Sequence, residues 1–330
     1  MPRGPLMIIG GAEDKLRKRT ILREFVAASG GEDARIAVVP TASSLGAEVI
    51  EVYDALFRRE GAAEVIAVRP ESRDDAHDDV LIKTLDEATG IFMTGGNQLK
   101  LSAIVSGTPL GDAIVAAHRR GVVVAGTSAG ASIQSSHMVA FGGPGATPKQ
   151  RMTQVAAGLG LLESSVIDQH FDQRNRYGRL LMIVSQSPSL LGIGVDEDTA
   201  AIVEHQEVDG ADHEVLRVIG RGSVTIFDPS RITTDAFEAK RSAPILASGV
   251  ILHALPEGSS FDLTTRTLVP QGTLVDLEEA AEIAVASHDL RRMARDIAAA
   301  DASPQALRRR MARTRKSTPP PAAPQDGATS

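Results

Sequence analysis

The segment GVVVAGTSAGAS at residues 121–132 carries the strongest indication of fold and chemistry in this chain. A β-branched run leads into the residues G-T-S-A-G at 126–130, and helix-compatible residues follow. A strand, a tight turn with the pattern G-x-S-x-G and a helix, in that order, predict a nucleophile elbow that holds Ser128 above the edge of a sheet. The small residues around Ser128 meet the steric demand of such a turn. The same pattern also fits an ordinary strand-to-helix turn with Ser128 as the N-cap.

Two turns are predicted to supply hydrogen-bond donors beside Ser128. The backbone N–H of Ala129 directly follows the serine at a helix N-terminus, where developing negative charge is stabilised. A second glycine turn, Gly95-Gly96, follows another apolar run and allows the backbone to approach closely. We therefore predict an oxyanion hole formed by Ala129, Gly95 and Gly96. An ordinary strand-to-helix turn is the alternative for the second segment.

Short apolar runs alternate with helical patterns along the rest of the chain. Strands are predicted at residues 6–9, 35–39, 64–68, 90–93, 121–124, 191–195 and 200–204, and helices at 14–28 and 47–60. This alternation predicts an α/β fold with a mostly parallel, doubly wound sheet, and ligands bind at the carboxyl ends of such strands. Later strands, at 214–219, 223–227 and 249–255, predict antiparallel hairpins added on one edge of that sheet.

The charge distribution separates an acidic body from a basic tail. The first 290 residues carry a net charge of −13, and residues 291–316 carry +7. We predict one α/β catalytic domain over 1–290 and a basic C-terminal helix and tail over 291–330, helical at 277–301. Disorder is expected from about residue 303, because STPPPAAPQDGATS cannot bury apolar surface. An acidic body is not the footprint of a nucleic-acid-binding core, so no nucleic-acid partner is expected.

The composition excludes several chemistries. The 330 residues include no cysteine, which removes disulfide scaffolds, zinc fingers, iron–sulfur sites and thiolate nucleophiles. Aromatic residues make up only 3% of the chain, which argues against base stacking as a binding mode. No apolar stretch reaches the roughly 18 residues of a membrane helix, and the N-terminal apolar run is too short for a signal peptide. We therefore expect a cytoplasmic protein with no membrane partner.

A serine nucleophile needs a base and an acid that orients the base. His170 is the leading candidate for the base, because it stands where a strand-like run gives way to a loop. Glu197, just past the strand predicted at 191–195, is the natural candidate for the acid. Of the other histidines, His118 lies beside two arginines and is predicted on a solvated helix face, and His77 lies in an acidic, loop-like run.

A rival pair is His205 and Glu207. These residues have the His-x-Glu spacing that class I glutamine amidotransferases use together with a cysteine. Here the pair follows the strand predicted at 200–204 instead of standing at the loop where such a pair is expected. We interpret it as part of an exposed turn.

Six ordered blocks give the chain a family resemblance over roughly residues 5–275. The blocks are GGAEDK at 10–15, VVPTAS at 38–43, FMTGGNQLKL at 92–101, GTSAGAS at 126–132, DQHFDQRNRYGRL at 168–180 and GIGVDEDTA at 192–200. They resemble the cyanophycinases, within the serine peptidase family that also includes the α-aspartyl dipeptidases. The resemblance implies a class I glutamine amidotransferase-like (flavodoxin-like) three-layer sandwich, a homodimer, and a Ser/His/Glu triad that falls on Ser128, His170 and Glu197.

The resemblance also implies a substrate. Cyanophycinases hydrolyse cyanophycin, a poly-aspartate whose β-carboxyls carry arginine through isopeptide links, to β-Asp-Arg dipeptides, with no metal or organic cofactor. Polar side chains that suit this polymer stand in two of the blocks. They are arginine forks for carboxylates (Arg174, Arg176, Arg179), carboxylates for a guanidinium (Asp168, Asp172) and amides for peptide groups (Gln98, Gln169).

Other interpretations stay open on the sequence alone. The arginines also fit a solvated surface with pairs at helical spacing. A second enzymatic interpretation is an exopeptidase for Asp-X or isoaspartyl dipeptides. An interpretation from another class is a catalytically silent module that binds acidic or arginyl peptides.

Overall fold

The computed structural model describes residues 3–208 and 210–270, and these residues form strands and helices that we number in chain order. The strands are β1 (Leu6–Ile9), β2 (Arg35–Val39), β3 (Glu64–Ala67), β4 (Gly90–Met93), β5 (Val123–Thr127), β6 (His137–Gly142), β7 (Thr153–Ala157), β8 (Ser165–Gln169), β9 (Leu191–Val195), β10 (Thr199–Val208), β11 (Ala211–Gly220), β12 (Ser223–Asp228), β13 (Thr233–Thr234), β14 (Ala247–Ser248), β15 (Ile251–Pro256), β16 (Ser260–Asp262) and β17 (Thr267–Val269). The α-helices are α1 (Thr20–Ala28), α2 (Glu48–Arg59), α3 (Asp79–Thr84), α4 (Gln98–Val105), α5 (Pro109–Arg119), α6 (Ala129–Ser132) and α7 (Tyr177–Gln186).

A nine-stranded sheet with the order β17-β16-β11-β10-β1-β5-β4-β2-β3 forms the centre of the described residues. Strands β1 to β5 run parallel to one another, with Met7 opposite Ala125 and Ala37 opposite Ile91. From β10 outward the neighbours are antiparallel. The predicted α/β fold, a parallel sheet with added antiparallel strands, is confirmed.

Both faces of the central parallel strands β1, β4 and β5 are buried. In β1, Leu6 and Ile8 belong to one apolar cluster, and Met7 and Ile9 belong to another on the opposite face. This division follows from the alternation of side chains along a strand, and it explains why these strands are apolar throughout.

Each face has its own cover. Helices α1 and α2 cover one face with an aromatic cluster, in which the rings of Phe25, Tyr53, Phe57 and Phe92 have centroids between 4.7 and 5.6 Å apart. Helices α4 and α5 and residues of β9 and β12 pack on the other face. The result is the three-layer arrangement that the alternation of strands and helices predicts.

A second sheet holds strands that the sequence pattern places on the edge of the first. Its order is β15-β12-β9-β8, with β8 and β9 parallel and the other pairs antiparallel. Only β11 of the three predicted hairpin strands joins the large sheet, so the prediction for 223–227 and 249–255 is wrong in its partner. The physical reason is that β9 pairs with β8 instead of with β10. Strand β12 then pairs with the other edge of β9 and so joins the second sheet.

The loop after β1 also differs from the prediction. The helix predicted from residue 14 begins only at Thr20, because the Asp14 carboxylate accepts hydrogen bonds from the backbone N–H groups of residues 16–19. These bonds hold a turn that competes with the first helical turn. The strand predicted at 121–124 begins instead at Val123, after a turn at Gly121 with φ 101°.

Two further predictions concern membrane-spanning helices and the C-terminal segment. No single helix in residues 3–208 and 210–270 is long and apolar enough to cross a membrane; α4 and α5 reach that length and composition only together, across a bend of 91°. The helix predicted at 277–301 and the tail predicted to be disordered from about residue 303 lie outside the described residues.

Candidate active site

Ser128 stands between β5 and α6 in a sharply turned backbone. Its dihedral angles are φ 53° and ψ −107°, a conformation that non-glycine residues rarely adopt and that costs free energy. A Cβ atom on Gly126 would lie 2.0 Å from the Gly130 carbonyl oxygen, and one on Gly130 would lie 2.1 Å from the Met93 carbonyl oxygen. The two glycines of G-x-S-x-G are therefore required by close backbone approach on both sides of Ser128.

Three side chains from three strand ends meet at this turn. Ser128 follows β5, His170 follows β8, and Glu197 lies two residues after β9. The His170 Nε2 atom lies 3.0 Å from Ser128 Oγ, and its Nδ1 atom lies 2.6 Å from Glu197 Oε1. With the carboxylate accepting from Nδ1–H, Nε2 is left to accept the hydroxyl proton of Ser128. The structure thus brings together the three residues predicted as a triad.

The surroundings of His170 favour its neutral form. Burial lowers its pKa, the hydrogen bond from Nδ1 to Glu197 raises it, and the positive charges of Arg174 and Arg176 lower it again, so that the net shift is below the usual range. A base with a pKa below neutrality is unprotonated at pH 7 and ready to accept a proton. The imidazolium that forms during proton transfer is then stabilised by the negative charge of the adjacent Glu197 carboxylate.

The turn after β1 holds the imidazole in place. The backbone N–H of His170 donates to the Gly10 carbonyl oxygen at 2.8 Å. A Cβ atom on Gly11 would lie 2.3 Å from Cε1 of the His170 ring, so only glycine leaves room for the ring in this position. Positive φ values at Ala12, His170 and Asp198, in addition to Ser128, put four such residues around one site. Such conformations concentrate where the surrounding structure must hold reacting groups in place.

The two segments predicted to form an oxyanion hole both adjoin the serine. Ala129 is the first residue of α6, where an N–H has no acceptor within the helix. Gly95 packs against the serine, because a Cβ atom built on it would lie 3.2 Å from Ser128 Cβ and 3.8 Å from Ser128 Oγ. Within the described residues, the N–H groups of Ala129, Gly95 and Gly96 donate to no other backbone acceptor. They are therefore available as the donors of the predicted oxyanion hole.

Glu13 is a buried carboxylate that sequence reasoning did not single out. It accepts hydrogen bonds from Thr127 Oγ1 at 2.6 Å, from Tyr53 Oη at 2.6 Å and from Lys15 Nζ at 2.7 Å. Burial by itself would raise its pKa, but the charge of Lys15 and the three hydrogen bonds lower it below the usual range. Glu13 therefore ties the residue before Ser128 to α2 and to the turn after β1. A charged residue inside the glycine-rich block at 10–15 was the available signal.

Two more contacts fix the loops that carry His170 and Glu197. The Asp196 carboxylate accepts from the backbone N–H of Asp172 at 3.1 Å and from Ser223. The Gln173 side-chain oxygen accepts from the backbone N–H of Glu197 at 2.9 Å. Sequence reasoning missed both residues, since nothing in their spacing indicates which loop they join.

Asp168 is used inside the chain. It is fully buried, and its carboxylate accepts from Arg179 Nε at 2.6 Å, from a second Arg179 nitrogen, and from Arg176 at 3.2 Å. This differs from the prediction that Asp168 receives a substrate guanidinium, because both of its oxygens already have arginine partners. Removing one member of a buried ion pair costs about 3–5 kcal/mol, so these groups hold each other in place.

The predicted binding residues divide into buried and exposed ones. Arg176 and Arg179 are buried, and Arg176 also donates to the main-chain and side-chain oxygens of Gln169. Burial lowers the pKa of Arg176, the charge of Asp168 raises it, and the charges of Arg179 and Arg174 lower it, with a net value of about 10. The guanidinium is therefore charged at pH 7. Arg174 and Asp172 are exposed and form no ion pair with another described residue.

Gln98 lies close to the nucleophile turn. Its amide nitrogen donates to the Val139 carbonyl oxygen at 2.6 Å and to Ser132 Oγ at 3.3 Å, on the helix that begins after Ser128. The amide oxygen of Gln98 accepts no hydrogen bond from the other described residues and can accept one from a ligand. No group of three or more His, Asp or Glu side chains in residues 3–208 and 210–270 is arranged to hold a metal ion.

The rival pair is not built as a pair. His205 and Glu207 lie on β10, not in the predicted exposed turn, and His205 Nδ1 contacts the Asp212 carboxylate at 3.1 Å. His118 is also misplaced by the prediction of a solvated helix face, because it is only 2% exposed. Burial, with the charges of His205, Arg3 and Arg119, lowers the pKa of His118 to about 4.

Comparison with known proteins gives consistent matches. The family model "Peptidase family S51" matches residues 6–210. The chain is 40% identical over 267 residues to a cyanophycinase from Trichormus variabilis, covering 80% of this chain and 87% of that protein. It is 36% identical over 265 residues to a cyanophycinase from Geminocystis herdmanii, covering 80% and 95%. The crystal structure of a peptidase from an acI-B1 actinobacterium has the same fold, with a TM-score of 0.55, 22% identity, and coverage of 79% of this chain and 97% of that one.

Proposed function

The chain belongs to peptidase family S51, and from this premise we propose that it hydrolyses cyanophycin to β-Asp-Arg dipeptides through an acyl-enzyme on Ser128. The observation that carries the proposal is the line of contacts from Ser128 Oγ to His170 Nε2 at 3.0 Å and from His170 Nδ1 to Glu197 at 2.6 Å, at the end of a strand. The cyanophycinases that match the chain over 80% of its length support the choice of substrate.

The proposed reaction begins at the serine. Ser128 Oγ attacks a main-chain carbonyl carbon of the aspartate backbone while His170 Nε2 takes the hydroxyl proton. Glu197 orients the ring and stabilises the imidazolium. The strained backbone at Ser128 supports its role as a nucleophile elbow, since the conformation holds Oγ clear of the main chain.

The charge that develops on the carbonyl oxygen is met by backbone donors. The N–H of Ala129 and one from the Gly95-Gly96 turn serve as the oxyanion hole, and one such donor is typically worth about 3 kcal/mol. His170 then gives its proton to the departing amine, and the peptide bond breaks. Water, deprotonated by His170, attacks the acyl-enzyme and returns Ser128 to its starting state.

The substrate carries charged groups that side chains of the site can bind. Each arginine of cyanophycin is joined through its amino group, so that its own carboxylate and its guanidinium are both free. Arg174 is the exposed cation beside His170 and is proposed to attract such a carboxylate. The position of this part of the site is supported by a buried ion-pair cluster of Arg176, Arg179 and Asp168. Gln169 is held in place by its hydrogen bonds to Arg176. Gln98 offers its amide oxygen to a peptide N–H.

Product analysis tests this function. Purified protein is incubated with cyanophycin, with Asp-X dipeptides and with isoaspartyl dipeptides, and the products are identified by mass spectrometry. We expect β-Asp-Arg from the polymer, and faster cleavage of the polymer than of any short dipeptide. Faster cleavage of ordinary Asp-X or isoaspartyl dipeptides would favour the dipeptidase interpretation instead.

The pH profile tests the role of His170. Since a neutral imidazole is required and burial lowers its pKa, kcat/KM is expected to stay high below pH 7 and to fall along a single acid limb. The substitution Arg174→Gln removes a positive charge that disfavours the imidazolium, so the pKa of His170 rises and the acid limb moves to higher pH.

The matched control for this pH experiment is Arg59→Gln. Arg59 is exposed at the carboxyl end of α2, on the edge of the sheet away from the triad, and its loss should leave the limb in place. An acid limb that stays in place in Arg174→Gln, or that moves to lower pH, would contradict the assignment of His170 as the base.

We further propose that the protein works in the cytoplasm as a homodimer, with the polymer, and neither nucleic acid nor a membrane, as its partner. The net charge of −13 over the first 290 residues supports the exclusion of polyanionic partners. Light scattering of the purified full chain measures the oligomeric state.

A further inference from the structure

A cavity lies beside Glu197, and neither Ser128 nor His170 is among its lining residues. Its volume is about 820 Å³, within the range of small-molecule sites. Residues that hold the triad form one of its walls, because Glu197 and its partner Gln173 both line it. Other lining residues come from the turn after β1 and from the turn between β11 and β12.

Three cations line this cavity without a partner. Arg17, Lys18 and Arg221 are exposed, and their side chains form no ion pair or hydrogen bond with another described residue. Lys18 and Arg17 are presented by the turn that the Asp14 carboxylate holds, and Arg221 is fixed by its backbone N–H on the Asp198 carbonyl oxygen at 2.8 Å. Cationic side chains without a partner among the described residues are available to bind the anionic groups of a ligand.

Four carboxylates line the same cavity, those of Asp14, Glu197, Asp198 and Glu257. Hydrogen bonds from four backbone N–H groups keep the pKa of Asp14 well below its usual range, and the bond from Arg17 has the largest effect. Both carboxylate oxygens of Asp14 accept from these donors. Asp198 Oδ1 accepts from the backbone N–H of Asp14 at 2.8 Å. Glu257 is exposed and forms no ion pair with another described residue. The lining therefore holds three cations and four carboxylates, and it presents both signs of charge to a ligand.

We propose that this cavity is a second binding site for the polymer, which takes a cyanophycin unit distant from the scissile bond. The inference rests on the proposed function. The free arginine carboxylates of the polymer would bind Arg17, Lys18 and Arg221, and a guanidinium would bind Glu257. A polypeptide that carries a carboxylate and a guanidinium on every unit matches this mixed lining better than a purely anionic ligand does.

A second contact on the same chain raises affinity by effective concentration without changing the chemical step. The site therefore acts on KM for long substrates and leaves kcat unchanged. It also makes binding of the polymer sensitive to salt, because the contacts are between exposed charges.

The test is the triple variant Arg17→Gln/Lys18→Gln/Arg221→Gln of the full chain. We expect KM for cyanophycin to rise about fivefold or more at low ionic strength, since a second contact is lost. We expect kcat on the polymer, and kcat/KM on the shortest fragment that is cleaved, to stay unchanged. The difference between variant and wild type should shrink as salt is added.

The matched control is Arg59→Gln/Lys83→Gln/Arg119→Gln, which also removes the charges of two arginines and one lysine. These residues are exposed near the carboxyl ends of α2, α3 and α5, which lead into the amino ends of parallel strands and so lie away from the cavity. This control is expected to bind and cleave the polymer as the wild type does.

Two results overturn the second site: an unchanged KM for the polymer in the triple variant, or an equal rise in KM for the shortest fragment. Failure of the proposed function shows elsewhere, in a wild-type protein that cleaves dipeptides and releases nothing from the polymer. Co-sedimentation with insoluble cyanophycin, performed in a Ser128→Ala background, measures binding without turnover, and loss of binding in the triple variant supports the site.

Discussion

Replacing Ser128 by alanine is expected to lower the rate of β-Asp-Arg release from cyanophycin by about 10⁴-fold or more, because removal of the nucleophile leaves only binding and the oxyanion hole. Among residues 3–208 and 210–270, the hydroxyl bonds the side chain of His170 alone, so its loss leaves no other described group unpaired. The melting temperature should therefore stay close to that of the wild type. Release of dipeptide from the polymer, followed by mass spectrometry, measures the rate.

The matched control is Ser136→Ala. Ser136 is a half-buried serine that follows the same short helix and lies outside the triad, so its variant should keep the wild-type rate. A fluorophosphonate probe adds a second measurement, because it should label the wild type and not Ser128→Ala. Retained turnover in Ser128→Ala would contradict the acyl-enzyme mechanism. Tight binding of the polymer by a wild-type protein that the probe does not label would favour a catalytically silent binding module.

The sequence predicts the parts of the fold that local chemistry determines. The strands β1, β2, β4 and β9 have the predicted bounds, because each is a short apolar run closed by a turn or a charged loop. The second sheet was not predictable in the same way. Whether Leu191–Val195 pairs with β8 or with β10 is decided by tertiary packing, and a strand buried on both faces carries no mark of its neighbour.

The residues of the site also differ in how far the sequence predicts their positions. Ser128, His170 and Glu197 follow strands in the chain, so the rule for carboxyl strand ends brings them to the same region. The arginines could not be resolved from spacing, since Arg176 and Arg179 have the same residue type as Arg174 and yet bind Asp168. His118 illustrates the reverse error: two neighbouring arginines suggested solvent, but its own position on α5 points to the core.

The second large effect is expected for Glu197→Gln, with a loss of about 10³–10⁴ in kcat, because the amide neither fixes the tautomer of His170 nor stabilises the imidazolium. The side chain of Glu197 is 35% exposed, and its backbone N–H, not its carboxylate, bonds Gln173. The fold should therefore survive the change. The acid limb of kcat/KM should also move to lower pH, because Glu197 raises the pKa of His170.

Glu207→Gln is the matched control, since it makes the same chemical change in the rival His-x-Glu pair. Glu207 is exposed on β10, and the histidine two residues before it already contacts Asp212, so the variant should keep the wild-type rate and pH profile. The opposite outcome, loss of activity in Glu207→Gln with Glu197→Gln intact, would move the catalytic acid to β10. Because Arg174→Gln and Glu197→Gln remove opposite charges beside one imidazole, they should shift its acid limb in opposite directions, which no merely structural role of either residue predicts.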